Sequence, residues 1–435
     1  MRKTLLAMAV GSTALATQAQ LAQATGFIED SSARLDLRNF YYNHDYRDVD
    51  KDSVREWGQA FVLNVQSGYT PGTVGFGVDA IATVGIKLDA PGQGSVFPEN
   101  TDSKGRAEAA DEFSRGGLTG KLRFAKTEAR YGILQPKLPI LTSNDARLLP
   151  QLFEGGIVTS NDIDGLTLTA GQIEHVVGRM SSNFTGMAVA GGQEQSNKFL
   201  FAGGDYKGIK DLTLQYYYAN LEDYYKQNFF GLLHSLPLAP GQVLKSDLRY
   251  FRTGSDGANA SGKAGYRTSG YTRGGDGEID NDTWSAMFTY GVGGHAFSLG
   301  YQEVSDGSNF VQLNQGSLPG EGAGGTSLYL ITDRLTASFN YAGERTVLGQ
   351  YVYDFAAVGV PGLNLNLAYL KGDQIKVAGA ADAKEWERDL VLSYVIQGGP
   401  LKNLGFAWRN SMLRSEVGGD ADHNRLTVSY SLPIW

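Results

Sequence analysis

Apolar side chains recur at every second position in one segment after another of this chain, and no other feature constrains its fold as much. Successive side chains of a β-strand point to opposite faces, so a strand with one greasy face reads with a period of two. Val74-Gly75-Phe76-Gly77-Val78-Asp79-Ala80 shows the pattern and carries it on through Ala82, Val84, Ile86 and Leu88, with Asp79, Thr83 and Lys87 on the other face. Leu118-Thr119-Gly120-Lys121-Leu122-Arg123-Phe124 repeats it with two cations on the polar side. Further copies run from Leu166 to Thr169, Leu212 to Tyr216, Phe297 to Tyr301, Leu363 to Leu367 and Leu426 to Tyr430. Nowhere after the first two dozen residues are there ~18 or more consecutive apolar residues, which excludes ordinary transmembrane helices.

The connections come in two sizes. Gly68 to Gly72 and Gly203 to Gly208 read as short turns, whereas polar links span about residues 89–116, 253–282 and 303–326. Short turns on one side and long loops on the other are the pattern of outer-membrane barrels. A soluble sandwich with its apolar face turned inward would show the same alternation. The number of segments, and an apolar face rich in aromatics in a chain with 23 Tyr and 20 Phe, favour lipid contact. Lipid cannot hydrogen-bond free backbone groups, so such a sheet must close on itself. With membrane strands of ~9–11 residues, residues 25–435 suit about 16–20 strands, enough for an aqueous lumen and too few for a plugged 22-stranded transporter. No domain boundary, repeat or low-complexity linker interrupts them. The expectation is an all-β chain: one transmembrane antiparallel β-barrel domain over residues 25–435.

Residues 1–24 read as an export signal. Arg2 and Lys3 precede an apolar stretch from Leu5 to Ala16, and Ala22-Gln23-Ala24 supplies the small-x-small cleavage pattern, so the mature chain is expected to begin at Thr25. Losing two cations and no acids moves the formal net charge from −8 to −10. Nucleic-acid binding needs the opposite surplus. With no cysteine there is neither a disulfide framework nor a thiolate metal site. No G-x-S-x-G elbow, P-loop or H-E-x-x-H helix is present, and His44, His175, His234, His295 and His423 lack metal-ligand spacing. No catalytic residue, cofactor or metal is expected. The acidic run Asp276, Glu278, Asp280, Asp282 reads as a solvated loop in preference to a cation site.

If the apolar parity meets lipid, the other parity lines the lumen. Leu35 and Leu37 facing out place Arg34, Asp36 and Arg38 inside. Lys121, Arg123 and Arg425 follow by the same rule, and Arg409 by the parity of Phe406 and Trp408. Asp79, Asp247 and Asp354 join Asp36 as inward acids. A charge on the lipid side would cost ~2–4 kcal/mol at mid-bilayer, so these assignments have energetic weight. Two readings of the cations stand side by side. They attract and guide anions, for which the planar fork of Arg matches a carboxylate, or they neutralise lumen acids and keep the wall polar. The set as a whole favours an anion path.

Several stretches resemble the OprD-like outer-membrane carboxylate channels. Gly26-Phe27-Ile28-Glu29-Asp30-Ser31-Ser32 and Leu37-Arg38-Asn39-Phe40-Tyr41 open the likeness, and Ser67 through Ala80 is its most specific part. Arg147-Leu148-Leu149-Pro150-Gln151, Leu221 through Gln227, Gly359-Val360-Pro361-Gly362-Leu363 and Arg425-Leu426 continue it over essentially the whole mature chain. The resemblance implies a monomeric barrel of 18 strands, inward-folded constriction loops, and a ladder of basic side chains opposite an acidic constriction. Carried over by position, the ladder is Arg38, Lys121, Arg123, Arg147, Arg409 and Arg425, with Arg179 a further candidate and Arg34 added from parity. Asp145 and Arg147 fall in an inward-folded loop expected at about 137–160, and Ser327 in a second one. Two departures stand out. Ala407 replaces an Arg of the family's basic-specific member, which counts against selectivity for basic amino acids. Terminal Trp435 falls off the outward parity of Leu426, Val428, Tyr430 and Leu432, and a bulge at Pro433 is expected to account for it.

The function so implied is passive uptake of small carboxylates (amino acids, aromatic or other small organic acids, with a lean toward monocyclic aromatic acids) across the outer membrane of a Gram-negative cell. Expected partners are those solutes, outer-membrane lipid and lipopolysaccharide, and the barrel-assembly machinery. A general trimeric porin of low selectivity and an outer-membrane or secreted hydrolase are the alternatives.

Overall fold

Eighteen strands, each hydrogen-bonded to its sequence neighbour, form one antiparallel sheet in the computed structural model. The structure describes residues 26–48, 52–91, 94–321, 324–377 and 380–435, and the expected export signal lies outside them. The strands are β1 (Ser32–Tyr46), β2 (Val54–Gln66), β3 (Val74–Asp89), β4 (Glu112–Phe124), β5 (Thr127–Leu134), β6 (Leu152–Ile163), β7 (Leu166–Val177), β8 (Phe199–Tyr206) and β9 (Leu212–Leu221). They continue as β10 (Tyr225–Ala239), β11 (Gln242–Ser255), β12 (Asp280–Val292), β13 (His295–Val304), β14 (Arg345–Asp354), β15 (Leu363–Val377), β16 (Ala380–Val395), β17 (Gly405–Ser415) and β18 (Ala421–Pro433). The sheet closes where β1 pairs with β18, from Arg34 opposite Pro433 to Tyr46 opposite Ala421. Closure removes the free edges that lipid could not satisfy.

The period of two sorts the wall as the sequence requires. Phe76, Leu118 and Leu299 stand 57%, 66% and 65% exposed on the outer face, while Lys121 and Thr119 of β4 are buried inside. Turns between β4 and β5, β6 and β7, β10 and β11, and β12 and β13 are two residues long, and all lie at the end of the barrel where the start of β1 meets the end of β18. At the opposite end, residues 90–111, 135–151, 178–198, 256–279 and 305–344 form the long connections.

The hydrophobic core is inside the barrel, not in its wall. Leu141 of the 135–151 loop, Met187 and Val189 of the 178–198 loop, and Leu313 and Leu328 of the 305–344 loop pack on inward aromatics Phe199, Tyr217, Phe229 and Phe251 of β8 to β11. Beside the base of the 135–151 loop the pairing of β6 with β7 shifts register between Glu154 and Gly155. Gly132 and Gly155 face each other across β5 and β6, both at positive φ, and a Cβ on Gly132 would run into the Leu118 carbonyl oxygen. Only glycine serves there.

Several expectations are corrected. Gly203 to Tyr206 belong to β8, and the turn is residues 207–211; Gly203 is a wall glycine pressed against the Tyr217 ring. The link expected over 303–326 extends to residue 344, because Leu328, Leu330, Ile331 and Phe339 are apolar yet fold into the lumen as loop. For the same reason the 178–198 loop escaped the polarity criterion. The inward loop expected over 137–160 ends at Gln151, where β6 begins. Asp280 and Asp282 are strand residues paired with Arg252, at 2.9 and 2.7 Å. No register shift occurs between β1 and β18, so Pro433 ends the strand without a bulge.

Candidate functional site

Three loops knit together within the lumen. Ser327 N–H donates to the Thr142 carbonyl at 3.1 Å, joining the 305–344 and 135–151 loops. Asn144 Nδ2 and Gln151 Nε2 add bonds to the carbonyls of Gly325 and Gly324, at 2.9 and 3.0 Å. Asn314 N–H reaches the Ala188 carbonyl at 2.8 Å and ties in the 178–198 loop. Gln315, fully buried, donates to the carbonyls of Val176 and Asn183, both at 3.0 Å. Buried amides satisfied in this way hold loops in one arrangement.

The basic residues expected from the sequence divide by partner. Arg34 sits at the short-turn mouth, exposed and paired with Asp36 at 2.9 Å, remote from the loops. Lys121 is buried against Asp79 at 2.6 Å, with the Ser67 carbonyl at 2.8 Å. Arg123 beside it lies over the Tyr69 ring, 4.3 Å from its centre. Arg38 makes a two-pronged contact to Asp145, Nη1 to Oδ1 at 2.7 Å and Nη2 to Oδ2 at 2.9 Å, and donates to the Arg147 carbonyl at 2.7 Å. Besides Arg123, which also has no carboxylate within 4 Å, four of these expected arginines lack one among the described residues: Arg147, Arg179, Arg409 and Arg425. Arg147 lies over the Tyr42 ring at 4.6 Å and donates to the carbonyls of Ser95 and Ala146, at 3.3 and 3.1 Å. Arg425 donates to His423 Nε2 at 2.8 Å and to the carbonyls of Ala146 and Leu335. Arg409 has only Thr427 Oγ1, at 3.4 Å. Arg179 donates no hydrogen bond to any described residue, and its buried Nε is left unpaired. Burial, then the neighbouring Arg147, pushes Arg179 down to about 9, which leaves it charged at neutral pH.

Acids line the neighbouring strand. Inward-pointing Glu385, Glu387 and Asp389 of β16 are buried. Glu387 accepts the backbone N–H groups of Thr336 and Ala337 at 3.1 and 2.7 Å, while Arg425 takes the carbonyl of Leu335 between the same wall strands. The loop peptide 335–337 is therefore clamped by an acid on one side and a cation on the other. Asp333 accepts Leu328 N–H at 2.9 Å and Ser338 Oγ at 2.7 Å, and burial holds its carboxyl above the usual range. Arg334 donates to Gln350 at 3.2 Å, and burial lowers it.

Sequence reasoning missed these acids and two further cations. Arg115 donates to the carbonyls of Pro150, at 2.8 Å, and Ser181, joining two loops to β4. It has the inward parity of Lys121 and Arg123, and only the interruption by Gly116-Gly117 hid it. Arg249 pairs with Asp247 at 2.6 Å and covers the Tyr329 ring at 3.9 Å. No cluster of possible metal ligands occurs among the described residues.

This architecture, a closed wall whose bore is narrowed by loops and lined by charge of both signs, belongs to a channel. A sequence profile described as outer membrane porin, OprD family, matches residues 25–434. The crystal structure of Pseudomonas aeruginosa OccK8 (OprE) is 52% identical, with a TM-score of 0.86 covering 94% of this chain and 100% of that one. P. aeruginosa OpdK, in a crystal structure with vanillate, is 35% identical with a TM-score of 0.83, covering 94% and 100%. Porin-like protein GalP of Pseudomonas putida is 37% identical over 418 residues, 95% of this chain and 94% of that protein. The chain is a member of the OprD family of outer-membrane porins.

Proposed function

We propose that this outer-membrane porin conducts small carboxylates passively, with monocyclic aromatic acids the preferred class. The observation that carries the reading is the arginine set left without acid partners: Arg147, Arg179, Arg409 and Arg425 hold positive charge that no side-chain carboxylate quenches. An anion entering between the loops replaces its hydration with guanidinium donors, one rung after another, and each contact is weak enough to release it. Arg38 is a half-quenched rung, since Asp145 already occupies its fork. Lys121 and Arg34, each paired with an aspartate, contribute wall polarity more than attraction, and Arg123 offers charge over Tyr69 near the short-turn mouth. Ser327, bridged to Thr142, sets the spacing of the loops. The likeness to OpdK, seen with the aromatic carboxylate vanillate, supports the substrate class.

The same reading takes residues 25–435 as one barrel domain, exported by a leader of residues 1–24 and inserted by the barrel-assembly machinery. It works as a monomer, as the likeness to the family implies. Solute-flux measurement in proteoliposomes with benzoate, and with neutral benzamide as comparator, tests the proposal. Arg409→Ala should lower benzoate flux roughly tenfold and leave benzamide flux unchanged, the loss of one unit charge in a partly desolvated bore. Equal effects on both solutes, or none on benzoate, would remove the ladder mechanism.

A further inference from the structure

On the outer face of the barrel wall, cations near the long-loop rim have acid partners almost all the way round. Arg252 pairs with Asp280 and Asp282, Lys226 with Asp256 at 2.6 Å, Arg345 with Glu303 at 3.4 Å, Arg55 with Asp89 at 3.5 Å, and Arg47 with Asp45 at 2.8 Å. One sector breaks the rule. Lys371 of β15 and Lys384 and Arg388 of β16 are exposed, and among the described residues none has a carboxylate within 4 Å. Arg388 has only the side-chain oxygen of Asn410.

These side chains point away from the lumen. Lys371 shares the parity of exposed Leu367 and Tyr369, while Ala368 and Leu370 between them are buried. Arg388 shares the parity of exposed Leu392 and Tyr394, while Glu387 and Asp389 face inward. Register places Lys371 opposite Trp386 and Tyr369 opposite Arg388. The rings of Tyr369 and Trp386 stack at 5.8 Å and 29°, so the cations surround an aromatic platform. Arg414 of β17 lies 6.0 Å from the Trp386 ring, with its own charge taken by Asp422 at 2.9 Å.

Height on the wall decides what this platform meets. A strand tilted about 40° climbs roughly 2.5 Å per residue. Arg388 and Trp386 lie seven and nine residues from Val395 at the periplasmic end, which puts them ~18–23 Å up an apolar band about 25 Å tall. Below them, exposed Leu392, Tyr394, Phe406 and Trp408 offer only apolar and aromatic surface. Unpaired cations at the upper edge of such a band, on long stems that lift their charge to the interface, match phosphate heads whose acyl chains lie on the wall beneath.

We propose that the outward face of β15–β17 is a docking surface for the phosphorylated sugar headgroup of outer-leaflet lipopolysaccharide, with Lys371, Lys384 and Arg388 binding its phosphates and the Tyr369–Trp386 pair supporting the sugars. Arg388 keeps free N–H donors for an oxygen pair after its contact to Asn410. The three cations would be a poor choice for a second copy of the chain, whose same face is equally positive.

Native mass spectrometry of the full-length protein in detergent, titrated with bisphosphorylated lipid A, monophosphorylated lipid A and phosphatidylethanolamine, tests this. The wild type should bind bisphosphorylated lipid A most tightly and be indifferent to added inorganic phosphate. The Lys371→Ala/Lys384→Ala/Arg388→Ala variant should bind it roughly 10- to 100-fold more weakly, with unchanged single-channel conductance and unchanged heat-modifiable migration showing a folded barrel. Binding undiminished in the variant would overturn the proposal. So would the absence of any preference over phosphatidylethanolamine, competition by inorganic phosphate alone, or a dimer that the triple variant abolishes.

Discussion

Two neighbouring sectors of the constriction wall handle buried charge in opposite ways. On the β17–β18 side, Arg425 meets two carbonyl oxygens and the His423 ring nitrogen and Arg409 a hydroxyl oxygen, so no carboxylate cancels either charge. On the β16 side, Glu387 is spent on the amides of Thr336 and Ala337, so its charge is absorbed by the loop it holds. Oxygen acceptors on neutral groups orient a cation without cancelling it, and backbone N–H donors stabilise a carboxylate while fixing the donor in place. On the proposed function, one sector recruits anions and the other holds the loop that shapes their path. On that reading a lumen in a chain of net negative charge would still favour anions.

The strongest way to break this comparison is at Glu387. Replacing it with Ala strips two amides and the Ser411 hydroxyl of their acceptor in a buried setting, a loss of about 2–4 kcal/mol of anchoring. The 305–344 loop should then leave the wall, giving larger and noisier single-channel currents with weaker discrimination between anions and cations. A quiet channel of wild-type conductance would show that the acid wall does not position the loop. Arg179→Gln comes next. The guanidinium has no partner to leave stranded, so the barrel should remain as stable as wild type while benzoate flux falls roughly 5- to 30-fold, equivalent to about 1–2 kcal/mol of lost attraction. A guanidinium keeps its proton across the working pH range, so the wild type should stay anion-preferring throughout it and the Gln variant should be less so at every pH. Reversal potentials across a pH series read both.

What the sequence made legible follows from the same physics. Alternation fixed which face each side chain takes, because one residue of slip moves a whole strand's greasy set into water; Arg38, Lys121, Arg409 and Arg425 all point inward as their parity requires. Parity says nothing about partners. Lys121 and Arg409 read alike along the chain, yet one is paired with Asp79 and the other is not. Glu385, Glu387 and Asp389 stayed hidden because Lys384 and Arg388 charge the opposite face of β16, leaving no apolar period to read. The 178–198 loop stayed hidden because Met187-Ala188-Val189 is apolar for packing inside the lumen, where a loop needs grease that elsewhere marks a strand.

The smallest effect sharpens the account of the acid wall at its upper end. Glu344, the last loop residue before β14, is buried, and burial, then the charge of Glu385, holds its carboxyl well above its ordinary value of 4.5. The Tyr341 N–H at 3.1 Å opposes that shift and does not overcome it. An acid that prefers its proton in the folded state adds stability that is complete below its ordinary range and is lost as pH rises through the raised value. The wild-type barrel should therefore unfold at lower urea concentration as pH is raised above the ordinary carboxylate range, followed by tryptophan fluorescence in detergent. Glu344→Gln keeps a donor for Glu385 without a proton to lose, so its midpoint should vary less over the same range. If both proteins follow one pH curve, the carboxyl pair carries no shared proton, and the loop end is held by Tyr341 and its neighbours alone.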